Sequence, residues 1–73
     1  MAAMTTTYVV CNADGAYLGG QGNWYLSLRM AAEKDTPELA RGYAAFWRPG
    51  EVVRVMKVVR RGNLLTGRPV VVN

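Results

Sequence analysis

EVVRVMKVVRR, residues 51–61, is the stretch on which the fold turns. Val52, Val53, Val55, Met56, Val58 and Val59 are interleaved with Arg54, Lys57, Arg60 and Arg61, a β-branched run of strand length and therefore the expected central strand. Side chains of a strand alternate between faces, so Val52, Arg54, Met56, Val58 and Arg60 share one side and Val53, Val55, Lys57, Val59 and Arg61 the other. Whichever side meets the core leaves three apolar residues and two cations outside it.

The flanks of this strand are punctuated. On its N-terminal side, Thr36-Pro37-Glu38 offers a hydroxyl cap, a proline at the first helical position and an acid at the positive end of the helix dipole. A helix is expected from there to Trp47, stopped by Arg48-Pro49-Gly50. Leu39, Tyr43, Phe46 and Trp47 fall near the 3.6-residue period as its apolar stripe, with Ala40 and Ala44 allowing close packing. RGYAAFW, residues 41–47, superficially matches the aromatic run of RNA-recognition strands, but the proline-capped helix start places it where its rings cannot form one flat stacking platform. On the C-terminal side Gly62-Asn63 can turn the chain into a hairpin with residues 64–66. Gly67 and Pro69 then interrupt the return, leaving residues 70–72 as a short edge strand or a tail.

Further upstream, residues 8–12 read as a strand. Asp14-Gly15 is the pair favoured by two-residue type I′ turns, which would set Cys11 opposite Leu18 and Asn12 opposite Tyr17. Gly19, Gly20 and Gly22 break the returning strand into a loop, and Trp24, Leu26 and Leu28 alternate with polar neighbours as a third strand over residues 24–30. The expected fold is α+β: one helix packed on a small antiparallel sheet of three to four strands, with flexible termini. Residues 1–6 are expected as a disordered leader, 7–62 as the single domain, and 63–73 as a tail or weak edge strand.

Composition narrows the function. The chain has 73 residues, of which 51% are hydrophobic and 19% charged, enough apolar content for one small core. It has no histidine and a single cysteine, Cys11, so neither an internal disulfide nor a cysteine/histidine zinc site is expected. Cys11 sits in an apolar run without a base, and the five acids read as turn, cap and surface groups, so no catalytic site and no cofactor are expected. GGQG, residues 19–22, precedes a strand and lacks the following Lys-Ser/Thr of a phosphate loop. No stretch has the run of about 18 apolar residues that a membrane span needs, and the N-terminus has no signal-peptide pattern. Nine Lys+Arg, seven of them arginine, against five Asp+Glu give a net charge of +4 and an expected negatively charged partner. The candidate contact residues are Arg54, Lys57, Arg60 and Arg61 on the basic strand and Trp47-Arg48 beside it, Trp and Arg being types that dominate binding hot spots. The alternative use of the same cations is on nucleic-acid phosphates.

Taken in order, YVV at 8–10, DGAYL at 14–18, Trp24, Thr36-Pro37-Glu38-Leu39-Ala40 and EVVRV at 51–55 give the chain a layout that resembles small bacteriophage transcription regulators of the Xanthomonas lytic phage type, in length and charge as well as in order. The resemblance implies a protein that binds host bacterial RNA polymerase in the host cytoplasm, weakens its engagement of the sigma factor and promotes read-through of terminators. It implies a monomer with no small-molecule substrate and no membrane, and it assigns no contact residue.

Overall fold

The structure, a computed structural model, describes residues 3–72. Its frame is a ribbon of two long antiparallel strands, β1 (Met4–Asn12) and β4 (Val53–Arg61), paired over their whole length from Met4 opposite Arg61 to Asn12 opposite Val53. Nine residues at about 3.4 Å each make a strand of roughly 30 Å. That ribbon sets the long dimension of a molecule measuring 42 × 22 × 20 Å.

Four two-residue strands widen the ribbon. β2 (Tyr17–Leu18) pairs with β1 and β3 (Trp24–Tyr25) pairs with β2, while β5 (Leu64–Leu65) and β6 (Val70–Val71) both pair with the outer edge of β4. All pairings are antiparallel, in the order β3-β2-β1-β4-β5. With α1 (Pro37–Trp47) packed on one face, the fold is the expected α+β class, with six strands in place of three or four because the added strands are too short to show an alternating pattern.

The residues 4–6 expected in a leader are instead paired strand, since Thr5 meets Arg60 and Thr6 meets Val59; residues 1 and 2 lie outside the described residues. At the other end the tail expectation resolves into edge pairing. Arg60 faces Leu65 and Lys57 faces Val70, and Thr66 N–H still bonds to the Val59 carbonyl at 3.0 Å, so the two extra residues of this edge are accommodated within 67–69, at Gly67 and Pro69. Asn73 lies outside the described residues.

The hairpin register differs by one residue from expectation. Cys11 pairs with Tyr17, not Leu18. The connection is a three-residue loop: Gly15 N–H bonds to the Asn12 carbonyl at 3.2 Å, Asn12 N–H bonds to the Ala16 carbonyl at 2.9 Å, and Gly15 takes φ +83°. The Asn12 side chain decides this geometry, because its Oδ1 accepts from both Asp14 N–H and Ala16 N–H. Only Gly15 needs a left-handed backbone here, whereas a type I′ turn would force Asp14 there too.

The expected strand at 24–30 also stops early. After Tyr25 the chain leaves the sheet, Leu26 is 83% exposed, and Ser27 caps a 3₁₀ turn at Leu28–Met30 with its Oγ accepting from Arg29 N–H. β2 is only two residues long, so it offers no further edge to pair with, and the local side-chain bond wins. The chain then returns to the sheet through bridges of Ala31 to Gly19 and Lys34 to Tyr8.

The helix has the expected bounds, and Thr36 Oγ1 accepts from Leu39 N–H at 3.1 Å. Its buried side differs. Ala40 and Ala44 are the residues in the core, packed with Val10, Leu18 and Val55 and flanked by Tyr8, Trp24, Tyr43 and Val53. Leu39 and Phe46 point outward, Phe46 at 75% exposure. Two alanines one turn apart let the helix sit close to the pleat, so that of the expected stripe Tyr43 packs at the margin of the core and Trp47 over Gly22, while Leu39 and Phe46 turn away from it. The reverse face carries its own buried pair, Val9 and Val58, diagonal neighbours across β1 and β4. Both faces of β4 thus hold a fully buried valine.

Gly42 lies in the middle of α1 with open space where a Cβ would stand. Gly42→Ala is expected to raise stability by about 1 kcal/mol, read as a thermal transition roughly 5 °C higher. A lowered transition would show that this turn of the helix is held by something other than helical geometry.

Candidate functional site

β4 distributes its cations over two faces. Directly opposed cross-strand residues share a face, so Lys57, opposite Tyr8, and Arg61, opposite Met4, lie on the α1 side, while Arg54, opposite Cys11, and Arg60, opposite Thr5, lie on the reverse side. Arg60 is committed to an ion pair with Glu33, whose Oε1 also accepts from the Thr7 hydroxyl. This contact ties the returning segment at 31–34 to the ribbon. Arg54, Lys57 and Arg61 have no carboxylate partner among the described residues.

Trp47 and Arg48 sit apart from these, at the C-terminal end of α1, and hold the glycine loop. Arg48 Nε donates to the Gly22 carbonyl at 2.8 Å, its guanidinium lies 5.6 Å from the centre of the Trp24 ring, and it pairs with Glu51 at 3.5 Å. The Trp47 ring covers Gly22 and meets Phe46 edge-on at 5.1 Å between centroids. Tyr43 completes the clamp by donating its hydroxyl to the Gly19 carbonyl at 2.6 Å. The six candidate residues are therefore not gathered into one surface. Arg54 and Arg60 share the reverse face but stand six residues apart along β4, Lys57 and Arg61 share the α1 face four residues apart, and Trp47 and Arg48 close the end of α1.

The true hairpin register reveals a feature that sequence reasoning missed. Tyr25 pairs with Tyr17, Tyr17 with Cys11, and Cys11 with Arg54. These four residues form a transverse row across β3, β2, β1 and β4 on the reverse face. Two tyrosines, a thiol and an unpaired guanidinium make a mixed apolar and cationic strip of the kind found at contact centres. Burial raises the Cys11 pKa above its ordinary value, with the neighbouring Arg54 charge pulling it partly back. The thiol is thus held protonated, and it serves this strip as a small apolar group. The signal was present in the sequence as Asn12, whose side chain selects the three-residue loop and so turns Tyr17 to the Cys11 side.

Among the described residues, no group of three or more histidine, cysteine, aspartate or glutamate side chains is placed to hold a metal ion. No described helix is long and apolar enough to cross a membrane. Fold and surface together define a small α+β domain with a mixed basic and apolar sheet face. Compared with known protein families, with curated proteins and with solved structures, the chain has no significant match.

Proposed function

We propose that the chain is a non-enzymatic, phage-encoded regulator that binds host bacterial RNA polymerase, inhibits initiation by weakening sigma-factor engagement, and promotes terminator read-through. The sequence resemblance supplies the identity of the target. The observation that carries the binding role is the central strand itself, which presents Arg54 on one face and Lys57 and Arg61 on the other without carboxylate partners among the described residues, while Val55 and Val58 serve the core. An unpaired arginine on a sheet face has little to contribute to the stability of the domain, since even paired surface charges are worth only about 0–1 kcal/mol. Its chemistry is suited to an external anion. In this reading the protein works as a monomer in the host cytoplasm, without a cofactor, by occupying a polymerase surface stoichiometrically.

The second reading is a nucleic-acid binder using the same cations on phosphates, favoured by the excess of nine basic over five acidic residues. Salt separates the two, because phosphate-driven binding weakens log-linearly with salt on any duplex or single strand. Capture from a bacterial lysate, with the bound proteins identified, is expected to recover polymerase subunits, and mobility-shift assays with DNA at physiological salt are expected to show no complex. Recovery of no polymerase subunit, or a DNA complex of micromolar affinity or tighter, would overturn the leading reading.

A further inference from the structure

A recess of about 350 Å³ opens at the Arg54 end of the tyrosine row, between the β1–β2 loop and the β4–β6 edge. Its lining includes Cys11, Ala13, Val52, Arg54, Met56 and Val71. Arg54 is the one charged side chain in that lining, and it has no carboxylate partner among the described residues. Around it are the methyl groups of Ala13, Val52 and Val71, the Met56 thioether and the Cys11 thiol, with the Asn12 amide, its Oδ1 engaged by Asp14 and Ala16 N–H, and Gly15 at the loop side. A second recess, about 250 Å³ beside the end of α1, differs in this respect: its Arg41 and Arg48 are already answered by Glu38 and Glu51.

We infer that the Arg54 recess receives an extended segment of a partner protein in which one carboxylate side chain is flanked by aliphatic residues. A guanidinium that is the one charged group of a largely apolar recess binds a carboxylate through paired charge-assisted hydrogen bonds, and the aliphatic neighbours of that carboxylate cover Val52, Met56 and Val71 on the side away from Asn12 and Gly15. Val52, 86% exposed, and Val71, 42% exposed, are the apolar surface that such a segment would bury. The composition disfavours a nucleic-acid strand. Tracking a phosphate backbone takes several cations in succession, and the other β4 cation on this face, Arg60, is held by Glu33. Tyr17 and Tyr25 extend the row away from the recess and supply rigid contact area for the rest of the segment.

The inference rests on the reading of the chain as a protein-binding module and names the chemistry of the segment it takes. The probe is an end-capped peptide of sequence Gly-Val-Leu-Asp-Leu-Val-Gly, compared with its asparagine counterpart and with oligothymidylate, each titrated into isotope-labelled full-length protein. The acidic peptide is expected to shift the amide signals of Cys11, Val52, Arg54, Met56 and Val71, and the asparagine peptide to bind about tenfold more weakly or worse. Arg54→Gln is expected to weaken the acidic peptide by a similar factor. So is Val52→Glu, which places a competing carboxylate at an exposed position where folding is not at stake. Shifts confined to other residues, equal binding of the two peptides, or tighter occupancy of the same signals by oligothymidylate would overturn the proposal. Polymerase capture by Arg54→Gln as strong as by the parent protein would remove the recess while leaving the regulator reading intact. Peptide seated at the recess without polymerase capture would do the reverse.

Discussion

Leu18→Ala is expected to unfold most of the protein at room temperature. Leu18 is fully buried, the largest such side chain, and it stands at the meeting point of Val10, Val55, Ala40 and Ala44. Two of those neighbours are alanines on a helix already close to the sheet, so neither has a longer side chain to swing into the gap. The cost therefore falls toward the upper part of the range of about 2–5 kcal/mol for such truncations. A core of this size supplies roughly 3–5 kcal/mol in all, which makes the loss comparable with the whole stability. Urea titration followed by far-UV dichroism is the measurement. The transition is expected to lose its folded baseline, and a loss below about 1 kcal/mol would place the centre of the core elsewhere.

Gly22→Ala is expected to be strongly destabilising. Gly22 has φ +74°, a conformation that costs other residues about 1–2 kcal/mol, and a Cβ built there would stand 2.8 Å from the Cβ and Cε3 atoms of Trp47. The same residue supplies the carbonyl that accepts from Arg48 Nε. One methyl group thus strains the backbone and displaces the ring that closes the helix end, and crowding of this kind costs a further 1–3 kcal/mol or so. Tryptophan fluorescence should shift to the red as Trp47 is pushed into water, with the thermal transition falling by roughly 10 °C or more. Gly20→Ala, where no atom lies near the added methyl, is the control and is expected to have a much smaller effect. Equal effects from the two substitutions would refute the clamp between the loop and α1.

Much of this architecture was legible in the residues. The helix could be bounded because Thr36, Pro37, Glu38, Pro49 and Gly50 each impose a local constraint, and local constraints do not depend on the rest of the chain. The central strand was legible for the same reason, as a long β-branched run. What the pattern did not carry was every feature set by a partner. Trp24, Leu26 and Leu28 alternate, yet alternation needs an adjacent edge to become a strand, and β2 ends after two residues. Leu39 and Phe46 have the period of a buried stripe, but the helix buries the face whose small residues permit closest approach. The register of the first hairpin depended on whether Asn12 or Asp14 governed the turn, and one residue of slip separates Tyr17 from Leu18 on the face beside Cys11. For that reason Arg54 could be chosen from the sequence, while the tyrosine row that accompanies it could not. Arg60 and Arg48, candidate contact residues from the sequence, are engaged within the fold through Glu33, Gly22 and Glu51.

The central claim is that the β4 cations without a carboxylate partner among the described residues, Arg54 on the reverse face and Lys57 on the α1 face, are each needed for contact with a protein partner. The direct measurement is binding of the immobilised protein to purified bacterial RNA polymerase, comparing the parent chain with the double variant Arg54→Glu, Lys57→Glu and recording the thermal transition of both. The account predicts that the double variant loses polymerase binding altogether while its transition stays within a few degrees of the parent, because neither side chain has an ion-pair partner to lose among the described residues. Undiminished binding by a folded double variant would contradict it.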